Sequence, residues 1–148
     1  MTPSHGEAET RFVRERASEL LESRGYRRLA DGFDDDRGWR AEFVRDRADD
    51  DAVVLAHKPD GAPYLTLGAA LPCERTTDPE TLHALIETAS DFDVSFYFSE
   101  GRRGLLCLTS RLMVSGLARD DFHFQLDNLV AAREAVAGIL NERDEKQR

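Results

Sequence analysis

The stretch DVSFYFSEGRRGLLCLTSRL, Asp93–Leu112, reads as two strands joined by a turn. Val94, Phe96 and Phe98 alternate with Ser95, Tyr97 and Ser99, the period of two that places successive side chains on opposite faces of a sheet. The glycine-bounded segment Glu100 to Gly104 predicts the turn, and Leu105 opens the second strand. In that strand Leu105 and Cys107 point one way while Leu106 and Leu108 point the other, and Leu112, Met113 and Val114 prolong the apolar character. Apolar residues on both sides imply cover on both faces. Arg102 and Arg103 at the hairpin tip read as solubilising charges rather than an anion site.

Upstream, Asp78-Pro79-Glu80 is a helix start, with Asp to cap free amides, Pro preorganised at the first position and Glu complementing the dipole. The helix runs to about Ser90 and presents Leu82, Leu85, Ile86 and Ala89 to the sheet, with His83 facing solvent. Three further strands precede it. The first carries Trp39, Ala41 and Phe43 alternating with Arg40 and Glu42. The second spans about Ala52 to Lys58. After the turn Pro59-Asp60-Gly61, the third spans about Pro63 to Leu71. Leu65, Leu67 and Ala69 share one face of this third strand; Tyr64, Thr66 and Gly68 share the other.

At the N-terminal side a helix over about Ala8 to Arg24 aligns Val13, Ala17, Leu20 and Leu21, with Phe12 widening the stripe and Gly25 ending it. Asp31 to Gly38 is expected to be a loop. Its Asp34-Asp35-Asp36 run lacks the alternating ligands and distal Glu of an EF-hand and reads as a solvated turn, as does Asp49-Asp50-Asp51. Downstream, Asp120 and Asp121 cap a last helix carrying Phe122, Leu126, Leu129, Val130, Val136, Ala137 and Leu140, interrupted by Arg133. Gly138 inside it costs about 1 kcal/mol relative to alanine, and two readings stand equally: close approach of another element, or a neutral glycine with no selected role.

The fold class that follows is α+β, a five-stranded antiparallel sheet with helices in the order α-β-β-β-α-β-β-α. Residues 1–148 are expected to form a single domain whose ends, 1–7 and 141–148, fray.

Composition narrows the function. At 41% hydrophobic and 33% charged residues the chain is globular, and its net charge of -9 repels a phosphate backbone, so nucleic acid is not an expected partner. No apolar run approaches the roughly 20 residues that span a bilayer, and the start, Met1 to Arg11, is polar; a soluble, unexported, cytoplasmic protein is expected. Cys73 and Cys107 make no CxxC pair and read as free thiols. His5, His57, His83 and His123 show no HxH or HExxH spacing, and no serine sits in a GxSxG elbow, so neither a metal, a cofactor nor a catalytic set is expected.

The strand PDGAPYLTLGAALP, the helix TLHALIETAS, the hairpin already quoted and the closing FHFQLDNLVAAREAVAGIL together resemble the type III secretion chaperone-like fold, and within it the YbjN-like family, over about Phe12 to Leu140. The resemblance implies a non-enzymatic, chaperone-like or regulatory protein that acts as a homodimer and binds a protein or peptide client. The residues themselves point to where: if helices cover one sheet face, the semi-polar set Tyr64, Thr66, Tyr97 and Cys107 on the other is left for a partner. The alternative is a small ligand-binding domain or enzyme using a pocket between helices and sheet.

Overall fold

The computed structural model describes residues 5–35, 38–45, 52–74, 78–99 and 104–146. The elements run α1 (His5–Glu22), β1 (Arg27–Asp35), β2 (Gly38–Arg45), β3 (Ala52–Pro59), β4 (Tyr64–Pro72), α2 (Pro79–Asp91), β5 (Ser95–Phe98), β6 (Leu105–Met113), a 3-10 turn at Val114–Gly116 and α3 (Arg119–Lys146). The strands are hydrogen-bonded in the order β1-β2-β3-β4-β6-β5.

The architecture is α+β, but the sheet has six strands, not five. The additional strand is β1, which occupies most of the segment expected to be a loop. Its register against β2 shifts between Arg28 and Ala30 and again between Asp31 and Phe33. Each shift resets the alternation, so RRLADGFDD carries no period of two for the eye to find. Backbone pairing with β2 makes it a strand, and Leu29 is 47% exposed. Asp34 and Asp35 therefore belong to β1 instead of a turn. Asp36, Asp49 to Asp51, Arg102 and Arg103 lie outside the described residues. Helix extends into both segments expected to fray, from His5 and as far as Lys146.

Both shorter helices end in the same device. Gly25 takes a positive φ of 85°, and the Tyr26 amide donates back to Leu21 O at 3.1 Å. Asp93 takes a φ of 54°, and the Val94 amide donates to Ala89 O at 2.9 Å. A left-handed residue past the last turn satisfies orphan carbonyls and turns the chain into the next strand; Asp tolerates that conformation better than most side chains. At its other end α2 is capped as its sequence predicts. Asp78 accepts from the Thr81 amide at 3.2 Å and from the Thr81 hydroxyl at 2.6 Å.

The chain folds as two compact units: Met1–Leu67 with Arg111–Gln125, and Gly68–Ser110 with Leu126–Arg148. In the first, α1 packs on β1, β2 and β3 and buries Val13, Ala17, Leu20 and Leu21. β2 and β3 pair so that Trp39 faces Lys58, Ala41 faces Ala56 and Phe43 faces Val54, all buried. Arg16 Nε donates to Leu117 O at 3.2 Å, and His123 Nε2 lies 3.1 Å from Leu20 O; a carbonyl only accepts, so the imidazole carries its proton there. In the second unit Leu85 and Ala89 of α2 are buried with Leu106 and Leu108 of β6 and Leu129, Ala132 and Val136 of α3. Ile86, expected in the α2 stripe, is 56% exposed. Gly138 is exposed, and a methyl group there would meet nothing within 4 Å, so no close approach accounts for it.

Lys58 is the one charged residue in this core among the described residues, fully buried at the end of β3. Its ammonium reaches Glu9 Oε1 of α1 at 3.3 Å and donates to Pro59 O at 2.8 Å. Removing one partner of a buried pair leaves an uncompensated charge, whereas replacing the charge by an apolar group of similar volume can be near neutral. Because Glu9 is 28% exposed, water can partly take its place. Glu9→Gln is therefore expected to lower stability by about 1–3 kcal/mol and Lys58→Met by less than about 1 kcal/mol. Urea unfolding of the two variants checks the order.

Candidate functional site

Two backbone hydrogen bonds set the pairing of β4 with β6. The Val114 amide donates to Pro63 O at 2.9 Å, and the Cys73 amide donates to Gly104 O at 2.7 Å. The start of β4 thus meets the end of β6 and the reverse, an antiparallel pair with one register throughout. The burial of both strands agrees: Leu65, Leu67, Ala69 and Leu71 are buried on β4, and Leu106, Leu108, Ser110 and Leu112 on β6. β6 continues to β5 with Ser95 opposite Thr109 and Tyr97 opposite Cys107.

The uncovered face of the second unit is built from the alternate residues of these three strands. β4 contributes Gly68, Ala70 and Pro72; β6 contributes Leu105, Cys107 and Thr109; β5 contributes Ser95 and Tyr97. All are partly or fully exposed and none is charged, in a chain that is 33% charged. Tyr97 stands out at 54% exposed. Of the four residues singled out from the sequence, Tyr97 and Cys107 are direct cross-strand partners here. Cys107 is a free thiol, half-buried in that row.

Tyr64 and Thr66 belong to the first unit, two residues apart on the uncovered face of β4. The surroundings differ from those of Tyr97. The Arg111 guanidinium lies over the Tyr64 ring, 4.5 Å from its centroid, an arrangement that a strand alternating Arg111 and Met113 outward produces once β6 is in register. Met113 is more than half exposed. On the same unit Arg40 of β2 faces His57 of β3. Arg111 is not among the site residues expected from sequence, because its partner ring is 47 positions upstream and only the β4–β6 register joins them.

A pocket of about 410 Å³ adjoins this face at Pro72 in the second unit, lined also by Cys73, Glu74 and Gly104 with Leu140, Arg143 and Asp144 of α3. Burial pushes the Cys73 thiol above its ordinary pKa, while the Arg143 guanidinium pulls it down and Asp144 and Glu74 push it up. The thiol donates to Glu74 O at 3.3 Å. Such a thiol is a resting, protonated group at neutral pH. Among the described residues no group of three or more His, Cys, Asp or Glu could hold a metal ion. No helix among them is long and apolar enough to cross a membrane.

No family model and no curated protein matches this chain. A solved structure does: the crystal structure of an uncharacterized protein from Methanothermobacter thermautotrophicus has a TM-score of 0.68 at 16% identity, covering 88% of this chain and 98% of that one. The two share a fold.

His57 supplies a pH test of this face. Burial, and then the Arg40 charge, hold its pKa below the ordinary value. A folded state that disfavours the imidazolium binds the proton less readily than the unfolded chain. As pH falls through about 6.5 the unfolded chain takes up the proton first, and stability falls with it. His57→Gln is expected to flatten that part of the stability profile, measured by urea midpoints between about pH 5 and pH 8.

Proposed function

We propose that this chain is a non-enzymatic partner-binding protein, chaperone-like or regulatory, that acts as a homodimer in the manner of the type III secretion chaperone-like, YbjN-like proteins its sequence resembles. The uncharged row around Tyr97 and Cys107 carries the reading. In a protein of net charge -9, two copies repel over most of their surface, and a patch without charge is where that repulsion is weakest and where apolar area can be removed from water. A half-exposed tyrosine on the outermost strand of such a patch is the kind of side chain that anchors interfaces, because it brings a large rigid ring and one polar tip. Tyr64 and Thr66, with Arg111 beside them, offer the client a more polar surface with one fixed positive charge.

A second reading is favoured by the pocket at Cys73. Its mixed lining, with Arg143 opposed to Glu74 and Asp144, suits a small zwitterionic ligand better than an apolar one. A thermal-shift screen with amino acids and other small zwitterions tests it; an upward shift that Arg143→Gln abolishes supports ligand binding, and flat shifts throughout remove it.

The homodimer is tested at Tyr97. Light scattering on the unmodified chain is expected to give twice the monomer mass at about 50 µM, and Tyr97→Asp to weaken association by at least about tenfold, or ~1.4 kcal/mol, with unchanged circular dichroism. A monomer at that concentration overturns the proposal.

A further inference from the structure

The two edges of the sheet are built in opposite ways. β1 is defended: its sequence RRLADGFDD carries two arginines and three aspartates, and its register is broken twice. Charges and bulges are the ordinary means by which an edge strand avoids pairing with another chain. β5, at the other edge, has none of them. SFYF contains no charge and no proline, and its register against β6 runs without a shift.

The parity of the ladder shows which groups that edge presents. The Ser99 amide donates to Leu105 O at 3.0 Å, so Ser99 and Leu105 are a hydrogen-bonded pair. In an antiparallel pair such residues alternate with non-bonded ones, so Tyr97 and Ser95 also turn their backbone groups toward β6. The N–H and C=O of Phe96 and Phe98 therefore point away from the sheet.

We infer that the occupant of this edge is β5 of a second copy, paired antiparallel to make one continuous sheet across the dimer. This rests on the self-association proposed above and places its contact at the β5 edge and Tyr97 rather than over the whole uncharged row. Magnitudes decide between a second copy and a flexible client. Two residues offer two donors and two acceptors, each bond worth about 0.5–1.5 kcal/mol net. A disordered segment would lose about 1–2 kcal/mol per residue in ordering itself to reach them, which cancels the gain. A second copy arrives with the strand already extended. Symmetry completes the argument. With Phe96 bonded to Phe98 of the second copy and the reverse, the two-fold axis passes beside Tyr97, and Tyr97 meets its own equivalent as a non-bonded pair, where side chains approach closest. No like charges are brought together, because the strand carries none.

Amide hydrogen exchange on the unmodified protein tests the edge directly. Phe96 and Phe98 are expected to exchange at least tenfold more slowly at a concentration where light scattering gives a dimer than after dilution to the monomer. Independently, Tyr97→Cys in a Cys73→Ser, Cys107→Ser background is expected to form a disulfide-linked dimer on mild oxidation, since Cβ atoms of a non-bonded pair lie within about 4.5–5.5 Å. A dimer whose Phe96 and Phe98 amides exchange as in the monomer, with no cross-link, overturns edge pairing and leaves self-association standing. A monomer at all concentrations overturns both.

Discussion

The structure depends on the antiparallel register of β4 against β6. It is held at one end by the Val114 amide on Pro63 O and at the other by the Cys73 amide on Gly104 O. Because side chains alternate with a period of two, a slip of one residue would send Leu65, Leu67 and Ala69 to water and bring Tyr64 and Thr66 into the core. That penalty is several apolar side chains at about 1.5–3 kcal/mol each, comparable with the whole stability of many domains of this size. The register is thereby imposed by burial, with hydrogen bonds serving as its markers. β5 inherits its position from β6, and with it the side of the sheet on which Tyr97 emerges.

The same constraint gives the uncovered residues two chemical characters. Where β4 begins, Arg111 stacks on Tyr64, and on the same unit Arg40 stands beside His57, so the surface is polar and positively marked. Where β4 ends, glycine, alanine, proline, leucine, threonine, serine and tyrosine make a neutral surface. A strongly acidic chain keeps itself soluble by charge repulsion, and a neutral surface on such a chain is a local relaxation of that repulsion. Face and edge share this neutrality, the face through its side chains and β5 through a strand without charge.

Much of the fold is legible in the sequence, and the failures have identifiable causes. The alternation in Trp39 to Phe43, Tyr64 to Ala69 and Val94 to Ser99 locates three strands within a residue or two, because a half-covered sheet writes its period into the side chains. Asp78-Pro79 locates the start of α2, because capping is a local interaction. β1 escapes because its register shifts erase the period, and five strands are expected where there are six. Ile86 is assigned to the buried stripe of α2 because helical spacing alone cannot say how wide a stripe the neighbour covers; Thr81, Leu85 and Ala89 are its buried residues.

Lys58 and Arg111 make the limit plain. Nothing in AVVLAHKP announces that its lysine is buried, since its partner Glu9 lies 49 positions away on α1. By itself the sequence determined where strands alternate, where helices begin and end, and which residues have the character of a face. Those are decided by interactions within a few positions of one another. Only tertiary structure decided that a sixth strand closes the sheet at β1, that Tyr97 stands across from Cys107, that Arg111 covers Tyr64 and that Phe96 and Phe98 turn their backbone groups away from β6. Each of these is a pairing between separate segments, and pairing is selected by the burial of the whole sheet.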